Sequence, residues 1–207
     1  MISASFLAIK DNLKDNIKKL DSTSIDMLHI DIMDGLFVPN KTWNIQEISN
    51  LLENTKKKKD IHLMVNDVYK YVDDFKVLKP NNITFHYEAV SNIVETINYI
   101  KSLNIKAGMS IKPNTSIDEI KPYLKYLDLV LVMSVEPGMG GQKFIENSVN
   151  KINTLYELRL RNNYRYLIEV DGGINNTTAK LCNKADILVI GSYITNGNYQ
   201  EQINNIK

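Results

Sequence analysis

His29 and Asp31 stand two residues apart in Leu28-His29-Ile30-Asp31-Ile32-Met33-Asp34-Gly35, a stretch that starts as a strand and breaks at Asp34-Gly35. Side chains on a strand alternate between faces, so His29, Asp31 and Met33 share one face and Leu28, Ile30 and Ile32 the other. A half-solvated strand has no need of a His-x-Asp pair on its polar face. Such a pair can reach one metal ion or flank one small substrate. Two further stretches carry matching chemistry. Ile61-His62-Leu63-Met64 ends a strand-like run with His62 and Met64 on one face, and Leu167-Ile168-Glu169-Val170-Asp171 ends another with Asp171 as its last residue. Together His29, Asp31, His62 and Asp171 form a donor set for a divalent cation, and imidazole nitrogen suits Zn or Fe better than Mg or Ca. Asp31 and Asp171 also suit acid–base work: two carboxylates flanking one carbon can take a proton from one face and return it to the other. For Asp171, followed by Gly172-Gly173, capping of a loop or helix is the alternative role.

Glycine clusters follow three late strand-like runs: Gly138-Met139-Gly140-Gly141, Gly172-Gly173, and Gly191-Ser192. Glycine lets backbone N–H groups approach an anion with no Cβ in the way, so the three clusters together predict a phosphate site. Met33, Met64 and Met133 recur at similar depth on three strands, where core packing by an adaptable side chain is one sufficient explanation. Ser5 and His86 also end strands, and each is expected to act as a hydrogen-bonding group behind the catalysts rather than as a catalyst.

The elements that must position these residues alternate along the chain. Strands are expected at 2–5, 26–31, 60–65, 83–86, 106–111, 129–134, 166–171 and 187–190, separated by segments with apolar residues at helical spacing. The run at 129–134 is almost purely aliphatic, as a strand buried on both faces requires. Ser116-Ile117-Asp118-Glu119 reads as a capping box opening a helix. The basic run Lys56 to Lys59 reads as a solvated helix end, where the dipole favours cations. About eight βα units with no linker predict a single (β/α)8 barrel spanning 1–207, with chemistry at the C-terminal ends of its strands; an open doubly wound sheet is the alternative.

Composition removes other classes. With 25 Lys and Arg against 24 Asp and Glu the net charge is +1, so no global field draws nucleic acid or an anionic membrane. The one cysteine, Cys182, excludes a disulfide framework and points to a reducing compartment. The N-terminus lacks the pattern of a signal peptide, and no apolar run reaches the ~18–20 residues of a membrane span, so a cytoplasmic location is expected.

Over nearly its whole length the chain resembles the ribulose-phosphate 3-epimerase family. The resemblance rests on Ser5-Phe6-Leu7, His29 to Gly35 with Phe37-Val38-Pro39-Asn40, His62-Leu63-Met64, His86-x-Glu88, Met133-x-Val135-x-Pro137-Gly138-x-Gly140-Gly141-Gln142, Glu169-Val170-Asp171-Gly172-Gly173-Ile174 and Gly191-Ser192. It implies a TIM barrel that interconverts D-ribulose 5-phosphate and D-xylulose 5-phosphate through an enediolate, an isomerase of the pentose phosphate pathway. It implies one divalent metal ion, Zn or Fe with Mn or Co as alternatives, held by His29, Asp31, His62 and Asp171, and Asp31 with Asp171 as the acid–base pair. By the same match Ser5, His62 and Asp171 contact substrate, and Gly138, Met139, Gly140, Gly141, Gly172, Gly173, Gly191 and Ser192 surround the phosphate. Met33, Met64 and Met133 become a sulfur layer beside the reacting carbons. The implied partner is a small sugar phosphate, with self-association into a homo-oligomer left open.

The chain departs from the family pattern at Leu36, Lys112 and Met139, where His, Asn and Phe are usual, and lacks a glycine in 183–186. Competing readings are a D-allulose-6-phosphate 3-epimerase, disfavoured by the second glycine of Gly172-Gly173, and a non-catalytic sugar-phosphate-binding barrel. A related decarboxylase barrel would need a lysine between paired aspartates, and Asp31-Ile32-Met33-Asp34 has none.

Overall fold

A computed structural model describes residues 1–206. Eight strands run β1 (Ile2–Ser5), β2 (Met27–Met33), β3 (Lys58–Met64), β4 (Asn82–His86), β5 (Lys106–Ile111), β6 (Leu129–Met133), β7 (Leu167–Asp171) and β8 (Ile187–Ile190). All pair in parallel in sequence order, and β8 returns to β1 to close the barrel. The helices are α1 (Leu13–Asp21), α2 (Ile45–Leu51), α3 (Val68–Phe75), α4 (Ile93–Ser102), α5 (Ile117–Ile120), α6 (Ser148–Asn162), α7 (Thr178–Leu181), α8 (Ser192–Thr195) and α9 (Tyr199–Asn204). No helix among the described residues is long and apolar enough to cross a membrane.

Strand parity divides the molecule into two cores. Outward-facing aliphatics such as Leu28, Ile30, Ile32, Ile61 and Leu63 pack under the helices with Ile17, Leu20, Ile48 and Val72. Inside the barrel Met27, Leu129, Leu131, Met133 and Ile187 form a separate cluster. Every residue of β2 and of β6 is buried, as expected for strands covered on both faces.

The expected elements form, with two informative differences. Lys56 to Lys59 do not end a helix: α2 stops at Leu51 and β3 already begins at Lys58. Asp21 accepts hydrogen bonds from the N–H groups of Lys56 and Lys57, and the Lys57 ammonium donates to the carbonyls of Thr23 and Ile25 at 2.8 and 2.9 Å. Local anchoring therefore draws the basic run into the start of a strand. After the Ser116 capping box only one α-turn forms, and residues 121–126 continue as a 3-10 segment. Pro122 lacks the N–H that an α-helix would need there.

Candidate active site

Register sets the site before any side chain is considered. Ser5 lies opposite His29 across β1 and β2, Asp31 opposite His62 and Met33 opposite Met64 across β2 and β3, and Met133 opposite Asp171 across β6 and β7. All but His29 lie toward the C-terminal ends of their strands, the end that carries chemistry in such barrels; His29, expected at a strand end, is third of seven in β2, one layer deeper, because β2 continues to Met33. One ligand atom from each of His29, Asp31, His62 and Asp171 falls within 4.8 Å of the others. His29 Nε2 is 3.4 Å from Asp31 Oδ1 and 3.9 Å from Asp171 Oδ2, and His62 Nδ1 is 3.3 and 4.0 Å from the same two oxygens.

Both imidazoles are fixed from behind. His29 Nδ1 donates to Asp60 at 2.7 Å, and Asp60 also accepts from Ser3 Oγ at 2.7 Å and Asn82 Nδ2 at 2.6 Å, all in a fully enclosed layer. His29 Nε2, on the opposite side of the ring, is buried without a hydrogen-bond partner. His62 is held by a relay. His86 donates from Nδ1 to Glu88 at 3.2 Å and accepts at Nε2 from His62 Nε2 at 2.9 Å, leaving His62 Nδ1 facing Asp31. Two imidazole nitrogens and two carboxylates, with a buried nitrogen lacking any protein partner, fit a divalent cation. A second group, His29, Asp60 and Glu169, also lies within 4.8 Å, but it uses the ring nitrogen already given to Asp60.

The carboxylates differ. Burial pushes the Asp31 carboxyl up, but the charges and hydrogen bonds of His29 and His62 outweigh it and hold Asp31 far below the usual range. Asp171 is pushed up to about 6, first by burial and then by the charge on Asp31. Ser5 Oγ donates to Asp31 at 2.8 Å. Beneath them Glu169 has both carboxyl oxygens buried and unpartnered, and burial followed by the Asp60 charge drives its carboxyl well up. Asp60 is held down to about 2, because the His29 charge and its hydrogen bonds exceed the burial penalty.

One cavity joins most of the expected substrate residues. Ser5, Asp31, Met33, Met64, Met133 and Asp171 line it together with Gly138, Met139, Gly140, Gly141, Gly172, Gly173, Gly191 and Ser192. His29 and His62 stand behind Asp31, fully enclosed, and are not on the cavity wall. Among the described residues no loop or cap hydrogen bond uses the N–H groups of Gly140, Gly141, Gly173 or Ser192, so these donors are free to take an anion. The glycines have different grounds. Gly173 sits at φ +63°, and a Cβ there would lie 2.6 Å from the Phe144 amide nitrogen, so the fold itself excludes a side chain. Gly140 has only Ala8 Cβ at 3.9 Å, leaving the bare backbone to the cavity.

Asp34 builds the β2 loop rather than doing chemistry. Its carboxylate accepts the N–H groups of Leu36, Phe37 and Asn66 at 2.7 to 2.9 Å. Asn40 Nδ2 ties this loop to the Gly138 carbonyl at 2.8 Å. The three departures stand around the mouth: Leu36 and Met139 are 76% and 62% exposed, and the Lys112 ammonium lies 4.2 Å over the Phe37 ring. Asp60, Glu169, Asn82 and Ser3 were not singled out by spacing. Ser3, Asp60 and Glu169 each sit two residues before Ser5, His62 and Asp171 on the same inward face, Asn82 sits four before His86, and that parity is the signal that finds them.

Comparison with known proteins finds named relatives of the chain. A ribulose-phosphate 3-epimerase of Aquifex aeolicus (strain VF5) is 43% identical over 171 residues, 82% of this chain and 77% of its own length. The enzyme of that name from Synechocystis sp. (strain ATCC 27184 / PCC 6803 / Kazusa) is 37% identical over 212 residues, covering 100% of this chain and 90% of its own. Among solved structures, 3-keto-L-gulonate-6-phosphate decarboxylase from Vibrio cholerae superposes with a TM-score of 0.71 over 100% of this chain and 94% of that one. At 14% identity that likeness concerns the barrel alone. The barrel is thus shared with enzymes of other chemistry, whereas residues 1–195 match the ribulose-phosphate 3 epimerase family as a whole, and it is to that family that the chain belongs.

Proposed function

We propose that the protein is a metal-dependent isomerase that interconverts D-ribulose 5-phosphate and D-xylulose 5-phosphate. The observation that carries this reading is the pair Asp31 and Asp171, brought to one cavity by β2 and β7 and flanked there by the free N–H groups of the glycine loops. A sugar phosphate anchored at Gly140, Gly173 and Ser192 presents its carbon chain toward the two carboxylates. One carboxylate removes the C3 proton from one face, and the other delivers a proton to the opposite face of the enediolate. The roles exchange in the reverse direction. Met33, Met64 and Met133 form the apolar wall beside the reacting carbons and keep water from them.

His29, Asp31, His62 and Asp171 would hold the cation, and the mixed nitrogen and oxygen set favours Zn or Fe, with Mn or Co as substitutes. When bound, the cation supplies Lewis-acid polarisation of the substrate carbonyl and stabilises charge on the enediolate. Ser5 orients Asp31, and the Glu88–His86 pair orients His62. Cys182 is buried and unpaired, in keeping with a reducing compartment such as the cytoplasm.

The test is steady-state kinetics of the purified metal-loaded protein on D-ribulose 5-phosphate and D-allulose 6-phosphate. The pentulose phosphate should have a kcat/KM about tenfold higher or more, the scale at which a pocket discriminates one extra carbon unit. A preference for the hexulose phosphate would transfer the assignment to that epimerase, and no turnover of either would leave a binding barrel.

A further inference from the structure

The opposite end of the barrel holds a cavity of about 370 Å³ that shares no lining residue with the candidate active-site cavity. Its walls are of two kinds. Met27, Leu129, Leu167 and Ile187 supply apolar surface, and Lys58, beside Met27 across β2 and β3, and Lys106 supply charge. Strand parity explains the arrangement. Lys58 precedes Asp60 and His62 on the inward face of β3, and Lys106 precedes Gly108 and Ser110 on that of β5. Register sets the lysines on either side of β4, where Asn82 pairs with both Asp60 and Lys106. The first inward residues of β3 and β5 are thus long cations, that of β4 between them is Asn82, and those of β2, β6, β7 and β8 are the apolar Met27, Leu129, Leu167 and Ile187.

The two ammonium groups have no carboxylate partner among the described residues. Asp26 and Asp128 also line the cavity but are engaged elsewhere. Asp26 accepts the Ile2 N–H at 2.7 Å, and Asp128 accepts the Ala107 N–H at 3.0 Å and pairs with Lys101 at 3.2 Å. Lys57 is committed to the carbonyls of Thr23 and Ile25 and the Met1 ammonium donates to that of Asp186, while Lys56 adds a further cation to the rim. Four lysines against two aspartates leave the lining with an excess of positive charge, and a concave site with a low-dielectric wall and such an excess concentrates anions. Its volume lies within the range of small-molecule sites, which combine apolar lining with a few placed polar groups.

We propose that this end of the barrel is a second binding site, for a small organic anion whose phosphate or carboxylate head meets Lys58 and Lys106 and whose apolar body lies on Met27, Leu129, Leu167 and Ile187. The N-terminal face of a barrel of this type otherwise serves stability, so the site is separate from epimerisation and stands or falls independently of it.

The experiment is a titration of the full chain followed by backbone amide NMR, with phenyl phosphate, benzoate and inorganic phosphate as probes. Phenyl phosphate or benzoate should shift the amides of Met27, Lys58, Lys106 and Leu129 along a saturable isotherm, separate from any response at Gly140, Gly173 and Ser192. The two organic probes distinguish a phosphate from a carboxylate head. Inorganic phosphate, which has no apolar body, should bind this end about tenfold more weakly or worse. The double variant Lys58→Gln/Lys106→Gln should weaken the isotherm by about tenfold or more while its melting temperature and turnover stay those of the wild type. Shifts confined to the glycine loops, a non-saturating response at the lysine end, or an unchanged isotherm in the double variant would each overturn the proposal; the wild-type shift pattern decides the first two without any variant.

Discussion

Replacing Asp60 with Asn tests how the barrel prepares His29 for a metal. Asp60 is fully enclosed and receives three hydrogen bonds, from His29 Nδ1 at 2.7 Å, Ser3 Oγ at 2.7 Å and Asn82 Nδ2 at 2.6 Å. The bond to Nδ1 makes that nitrogen the donor and leaves Nε2 to face Asp31 and Asp171. Asparagine keeps the volume but offers an amide N–H as readily as a carbonyl. Turned toward His29, that N–H would favour the tautomer with its proton on Nε2, the nitrogen meant for the cation. Loss of such a supporting carboxylate typically weakens metal affinity by about 10–100-fold, or ~1.4–2.7 kcal/mol. The assay is a competition titration of Zn against a chromophoric chelator, paired with thermal melts in excess chelator. The melts matter because an unsatisfied buried donor by itself costs about 1–3 kcal/mol of folding stability. A metal Kd for Asp60→Asn within twofold of wild type, in a protein that melts like wild type, would refute the orienting role.

Two further predictions follow from the loops. Gly140→Val should raise KM for the phosphorylated sugar with little change in melting temperature, because only Ala8 Cβ at 3.9 Å bounds a Cβ there; an unchanged KM would move the phosphate elsewhere. Glu88 should make part of the stability acid-labile. Burial pushes its carboxyl up, but hydrogen bonds from His86, Thr115 and the Lys112 N–H prevail and hold it at about 2, below the ordinary 4.5. A depressed carboxyl stabilises the fold at pH values above its unfolded pKa and loses that contribution as pH falls through the folded one. The wild type should therefore lose more melting temperature than Glu88→Gln on acidification from pH ~5 to pH ~3, and parallel curves for the two would contradict the assignment.

The barrel was legible because two periodicities alternate without interruption: residues such as Leu28, Ile30 and Ile32 mark strands, and Val68, Val72 and Phe75 mark helices. The start of β3 was not. Four consecutive lysines carry no period-two signal, and only the contacts of Asp21, Thr23 and Ile25 with that run draw Lys58 into the strand. Pro122 likewise marked a break in α5 that the Ser116 capping box obscured. The candidate-site residues stood out because His, Asp and Gly near strand ends have few structural uses. Asp60 and Glu169 lie one layer deeper, where a single carboxylate in a strand resembles any polar position. What sets them apart is full burial on the same inward face as His62 and Asp171, a tertiary property that local spacing carries only as parity.

The central claim is proton exchange at C3 by two carboxylates, and isotope incorporation tests it directly. Metal-loaded wild type acting on D-ribulose 5-phosphate in deuterated water should yield D-xylulose 5-phosphate carrying deuterium at C3. Asp171→Asn, if shown by elemental analysis to retain its metal, should lose epimerisation by more than the ~10²–10⁴ usual for one acid–base group, since a proposed cation ligand is altered as well. It should still exchange C3 slowly on the one epimer whose proton faces Asp31. Product formed without deuterium at C3, or an Asp171→Asn protein that interconverts both epimers at near wild-type rate, would contradict the account.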